Sequence, residues 1–142
     1  MLDYPAVIIH GLDDVRAVLR LGRAVTLISA PGAGLYAGCG WWAALIGQAR
    51  AAFPDTAPVD VLDCADGTGA ALAALRIGVP RLVLWRGTPG ADAVAEIARA
   101  QGGFVLDESP KALDLSQRGA IRRLEAWVQV RSGPGDIPDE TR

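Results

Sequence analysis

Five side chains are equipped for chemistry in this sequence: the imidazole of His10, the thiol of Cys39, the carboxylates of Asp63 and Asp66, and the guanidinium of Arg86. Cys39 sits between two glycines at the end of an uncharged stretch, Ser29 to Trp42, that also holds Gly32, Gly34, Gly38 and Gly40. If a helix opens near Gly40, the thiol lies at its N-terminus, a position that activates cysteines in general. The same free N–H groups and helix dipole favour an anion. Free cysteine is equally among the most buried residue types, which is the structural alternative for Cys39.

Asp63 and Asp66 flank Cys64, the second cysteine, and suit a ribose, a metal or a substrate amine. Asp66 and Thr68 also suit the N-cap of a following helix, the commoner use of such residues. His10 is a general base if it faces a crevice, yet no Ser-His-Asp order points to it. Arg86 is the natural partner for an anion, or for Asp63 or Asp107 within the protein.

The spacing Gly32-x-Gly34-x-x-x-Gly38 departs from a dinucleotide fingerprint. Pro31 precedes it, and no acid follows about 20 residues on. No Lys-Ser/Thr follows either, so it is not a phosphate loop of the Walker type. The ligand-binding set expected here is Gly32, Gly34, Gly38, Cys39, Gly40, Asp63, Asp66 and Arg86, with Cys39, Asp66 and His10 as the catalytic candidates. With one histidine and two cysteines, soft ligands are too few for a protein-made zinc site, and no metal is expected.

The elements that must carry these residues follow from hydrophobic patterning. Short apolar runs read as strands at Ala6–Ile9, Val25–Ser29, Val59–Asp63, Arg81–Trp85 and Phe104–Asp107. Apolar positions at helical spacing lie between them. The first helix, 12–22, turns Leu12, Val15, Val18 and Leu19 inward, and the second, 41–53, buries Trp42, Leu45, Ile46 and Ala49. The third, 67–78, has Ala71, Leu72 and Leu75 on its inner face, and the fourth, 89–101, has Ala93, Val94, Ile97 and Ala98. After a polar connection through Pro110, a last helix over 117–130 carries Ile121, Leu124, Trp127 and Val128.

Strands alternating with helices mean a parallel sheet with right-handed crossovers. The expected fold is α/β: a three-layer α/β/α sandwich on a five-stranded, mostly parallel sheet, flavodoxin-like or Rossmann-like. Residues 1–130 form one domain, and 131–142, with Gly-Pro-Gly and three acids, read as a disordered tail. In such a sheet all strand C-terminal ends share one edge, where ligands bind. His10-Gly11, the 29–40 loop, residues 63–67, 86–90 and 107–109 all fall on it.

Composition limits the partners. Lys+Arg of 14 against Asp+Glu of 16 gives a net charge of −2, which offers no basic excess for nucleic acid. Pro31 and five glycines break the uncharged 24–49 segment, so no membrane span is expected. The N-terminus lacks a basic start and a long apolar stretch, and a cytoplasmic location with reduced thiols is expected. Tyr36 and Trp41 have no place on a buried helix face and are expected to be exposed, which favours a homo-oligomer. The function expected is therefore a small-molecule or anion site at the C-terminal edge. A small enzyme using Cys39 or Asp63/Asp66 and a non-catalytic interaction module are the alternatives. No cofactor is indicated.

Overall fold

The computed structural model describes residues 2–129; the tail expected over 131–142 lies outside them. The chain runs β1 (Ala6–Ile8), α1 (Leu12–Leu19), β2 (Thr26–Ile28), α2 (Ala33–Tyr36), α3 (Cys39–Ala52) and β3 (Val59–Asp63), then α4 (Thr68–Arg76), β4 (Arg81–Val83), α5 (Ala91–Ala100), β5 (Phe104–Leu106), β6 (Ala112–Asp114) and α6 (Ala120–Gln129). All six strands form one parallel sheet in the order β5-β4-β3-β2-β1-β6.

The expected alternation of strands and helices is present. Two elements correct it. The sheet has six strands, not five, because the supposed polar connection contains β6, which pairs with β1 (Ala6 with Ala112, Ile8 with Asp114). The glycine-rich loop holds an extra short helix, α2. The order also differs from the flavodoxin 2-1-3-4-5 and Rossmann 3-2-1-4-5-6 arrangements. β1 to β5 step across the sheet in one direction, and β6 adds on the far side of β1.

Alternation along the strands separates two apolar faces. Val7, Ile9, Leu27, Leu62, Leu82 and Leu113 join one large cluster with Val15 and Val18 of α1, Trp42 and Ile46 of α3, Leu75 of α4, Val94 of α5 and Leu124 of α6. Ala6, Ile28, Val61 and Val83 form the other, flanked by Ile8, Val59, Phe104, Leu106 and Ala112, and among the described residues no helix residue belongs to it. All four of those residues are nevertheless buried.

Chain reach gives the reason. Leu106 and Ala112 belong to the two edge strands, and the connection between them is six residue steps, at most about 22 Å when extended. Five strand spacings of a flat sheet amount to about 24 Å before any return along the strand axis. The sheet is therefore curled, with its second face on the concave side.

Asp60, which weakens β3 as a strand on sequence grounds, is buried at the foot of the sheet. Arg50 of α3 and Arg81 of β4 both bond its Oδ1, the second at 2.9 Å. A charge at that depth is tolerated because it is doubly paired.

Several helical positions expected in the core lie outside it. Ala93 is exposed and Leu72 only half-buried, while Ile97 and Ile121 are also exposed. Ile121 lines an open groove of about 290 Å³ with Leu124, facing Ala17 of α1 and Leu21 just after it. In α5 and α6 the stripe facing the sheet is narrower than the apolar pattern: Val94 and Ala98 alone bury in α5. Among the described residues, no helix is long and apolar enough to cross a membrane.

Candidate functional site

Because the six strands are parallel, their C-terminal ends meet at one edge, and the residues that follow them are held by hydrogen bonds across neighbouring strands. His10 follows β1. Its backbone N–H donates to Asp14 Oδ2 at 2.8 Å, and its ring Nε2 lies 2.6 Å from Asp114 Oδ1 at the end of β6. Ser116 donates to that same oxygen twice, from its N–H at 2.9 Å and its Oγ at 2.8 Å. Burial raises the Asp114 pKa, but the hydrogen bonds from His10 and Ser116 outweigh it and hold this carboxyl below the usual carboxylate range. The sequence offered no signal for Asp114 or Ser116 as partners of His10. They enter through β6, which is recognisable only by its pairing.

Asp63 is fully buried, and three donors within the protein occupy its carboxylate. Its Oδ1 accepts from the N–H of Gly32 at 3.1 Å and of Ala65 at 2.9 Å. Its Oδ2 accepts from Ser109 Oγ at 2.6 Å, and its own N–H donates to Ser29 Oγ at 2.9 Å. One carboxylate thus joins the glycine loop, the turn after β3 and the β5–β6 connection. Gly32 makes its contact with φ of +75°, which a glycine adopts without strain. Ala65, with φ of 50°, is the one described non-glycine residue in the left-handed region.

Gly34 serves packing. A Cβ there would stand 2.8 Å from Cys64 Sγ and 3.2 Å from the Asp63 carbonyl oxygen, so α2 lies directly on the end of β3. Burial first, then the charges of Asp63 and Cys39, push the Cys64 thiol up to about 12. Cys39 is the first residue of α3 and is half-buried. Gly38 precedes it with φ of +88°, and Gly40 is exposed.

No side chain caps α3 or α4. The expected capping by Asp66 or Thr68 is not made: Gly67 is the N-cap residue of α4, Asp66 is exposed, and Thr68 Oγ1 donates to the Pro89 carbonyl at 2.6 Å.

Arg86 turns away from Asp63. Its Nε donates to Asp107 Oδ2 at 2.9 Å, and Glu108 Oε2 stands 3.8 Å from its guanidinium. The hydrogen bond between them lowers the pKa of Asp107 and raises that of Arg86.

Of the aromatics, Tyr36 is 72% exposed beside Leu35 at 53%. Trp41, expected outside, packs half-buried against the core. Trp42 is fully buried, as its place in the helical pattern indicates, and its Nε1 has no partner among the described residues.

Three bonded groups result: His10 with Asp114 and Ser116, Asp63 with Ser109 and the glycine loop, and Arg86 with Asp107 and Glu108; the side chains of Cys39 and Asp66 are bonded into none of them. Residues 6, 8 and 10, 112 and 114, and 59, 61 and 63 alternate onto the concave face, so the first two groups stand over one apolar floor. In the first, a carboxylate orients an imidazole, an arrangement suited to proton transfer. Among the described residues, no group of three or more His, Cys, Asp or Glu is placed to hold a metal ion. Comparison with protein-family models, with curated proteins and with solved structures finds no match to this chain.

Proposed function

We propose that this protein binds a small polar or anionic molecule at the C-terminal edge of the sheet, on its concave side. One observation carries the reading. His10 and Asp114 are bonded to each other yet remain 36% and 25% exposed, above the apolar lining of Ile8, Ile28, Val61 and Val83. The uncapped starts of α3 and α4 open on the same edge and supply free N–H groups.

Layering bears on where that site lies. A three-layer sandwich would cover both faces with helices. The single helix-bearing cluster, the sequential strand order and the short β5–β6 connection favour helices on the convex side alone, leaving the concave mouth for a ligand.

The test is an amide NMR titration of the full chain with inorganic phosphate and, separately, acetate. Displacements confined to residues 10–14, 30–41, 66–69 and 114–116 are expected. Absence of displacement there, or displacement at the opposite edge around Gly22 and Gly78, overturns the reading.

A second reading, self-association, is favoured by the exposure of Leu35 and Tyr36 on α2. It requires that Tyr36→Glu lower the mass in solution; a mass unchanged by the substitution removes α2 as the interface.

A further inference from the structure

We propose that His10 is a general base that activates water for hydrolysis of small carboxylic esters, with Asp114 as its positioning residue; this rests on the C-terminal-edge reading above. His10 is held at its ring and at its backbone. Asp114 accepts at Nε2, Ser116 fixes Asp114 through two hydrogen bonds, and Asp14 holds the His10 backbone N–H. An ionised Asp114 accepts a hydrogen bond from Nε2–H, which leaves the lone pair on Nδ1. Nδ1 has no hydrogen-bond partner among the described residues, and the side chain is 36% exposed. Asp14 of α1 and Asp114 of β6 are the charged groups bonded to this residue.

The nucleophile follows by elimination. Ser116 donates to Asp114 rather than to the ring, and Ser109 is committed to Asp63. Ser29 is buried and donates to the Ala30 carbonyl, and Cys64 is buried with its thiol protonated. None of these groups is bonded to the ring, and Cys39, at the start of α3, makes no hydrogen bond to it either, so water is the nucleophile that Nδ1 activates.

In the step, Nδ1 takes a proton from water as the water oxygen bonds to the acyl carbon. The carbon–oxygen bond to the alcohol then breaks, and the imidazolium returns the proton to the leaving oxygen. The products are a carboxylic acid and an alcohol, and nothing is oxidised or reduced. Asp114 stabilises the transient imidazolium, and half-buried Ile8, two residues before the ring on the same strand face, is the apolar surface beside it.

The experiment follows p-nitrophenyl acetate hydrolysis by the full chain over many turnovers, against free imidazole at equal concentration. Expected are a rate above the imidazole control, an acid limb coinciding with the NMR titration of the single imidazole, and a loss of about a hundredfold in kcat/KM for His10→Gln. Asp114→Asn should displace the acid limb as well as lower the rate, which a merely structural residue would not do.

A wild-type rate equal to free imidazole, an acid limb unrelated to the imidazole titration, or a His10→Gln chain with unchanged turnover overturns the proposal. The coincidence of limb and titration needs no variant, so it decides the matter even if His10→Gln fails to fold. If phosphate and acetate still displace the edge amides while hydrolysis is absent, the base assignment alone fails. If those amides do not move, the site reading fails with it.

Discussion

Ser109 Oγ donates to Asp63 Oδ2 at 2.6 Å, and this contact ties the β5–β6 connection to the middle of the sheet. The carboxylate it reaches also accepts from two backbone N–H groups. Ser109→Ala removes one donor to this buried carboxyl group and should destabilise by about 1–2 kcal/mol. Asp63→Ala leaves the Gly32 and Ala65 N–H groups buried without an acceptor and should cost about 3 kcal/mol or more. Urea unfolding checks both: the midpoint falls, more for Asp63→Ala, with the slope unchanged.

Gly34→Ala should overpack the junction of α2 with β3, because the new methyl meets Cys64 Sγ. A loss of about 1–3 kcal/mol is expected. Adding Cys64→Ala vacates the space, so the double variant should recover about 1 kcal/mol or more relative to additivity. Strict additivity in the double-mutant cycle would show that the sulfur is not what Gly34 avoids.

The lowered pKa of Asp114 makes a prediction of definite sign. Its carboxyl is more acidic folded than unfolded, so its contribution to stability is present above the ordinary carboxylate value and is lost as pH falls through the folded value. Asp114→Asn should therefore be less stable than wild type at neutral pH. That difference should shrink below the usual carboxylate range, as followed by unfolding midpoints across the acid limb.

The two thiols should separate kinetically. Cys64, buried with its pKa pushed up to about 12, should resist a disulfide reagent such as DTNB in the native protein, while half-buried Cys39 reacts. One equivalent is expected before denaturation and two after. Two fast equivalents would place Cys64 within solvent reach.

How much of this was legible in the sequence depends on how local the cause was. Val59–Asp63 reads as a strand and is one, because an apolar run between turn signals needs no distant information. Trp42 reads as core for the same reason. Ala112–Asp114 reads as loop because three residues after Pro110 carry no periodicity. What makes them a strand is β1, more than a hundred residues earlier.

Asp63 attracts a functional reading as an acid at a strand end. Its partners, two backbone N–H groups and a serine 46 residues on, show its structural use only once the chain is folded. Likewise the glycines of the 29–42 loop suggest a ligand, whereas Gly34 answers to the bulk of Cys64. His10 was legible as a candidate but not its orienting carboxylate.

The strand order carries a consequence for synthesis. β1 through β5 emerge in the order in which they lie side by side, so each new strand finds its predecessor already in place. The outer edge of β1 is different: its partner is the last of the six described strands to leave the ribosome. Until residues 112–114 arrive, a row of unpaired backbone donors and acceptors stays open on the first strand made. A chain truncated before Lys111 keeps that edge permanently bare, and its expected fate is pairing with other nascent or truncated copies.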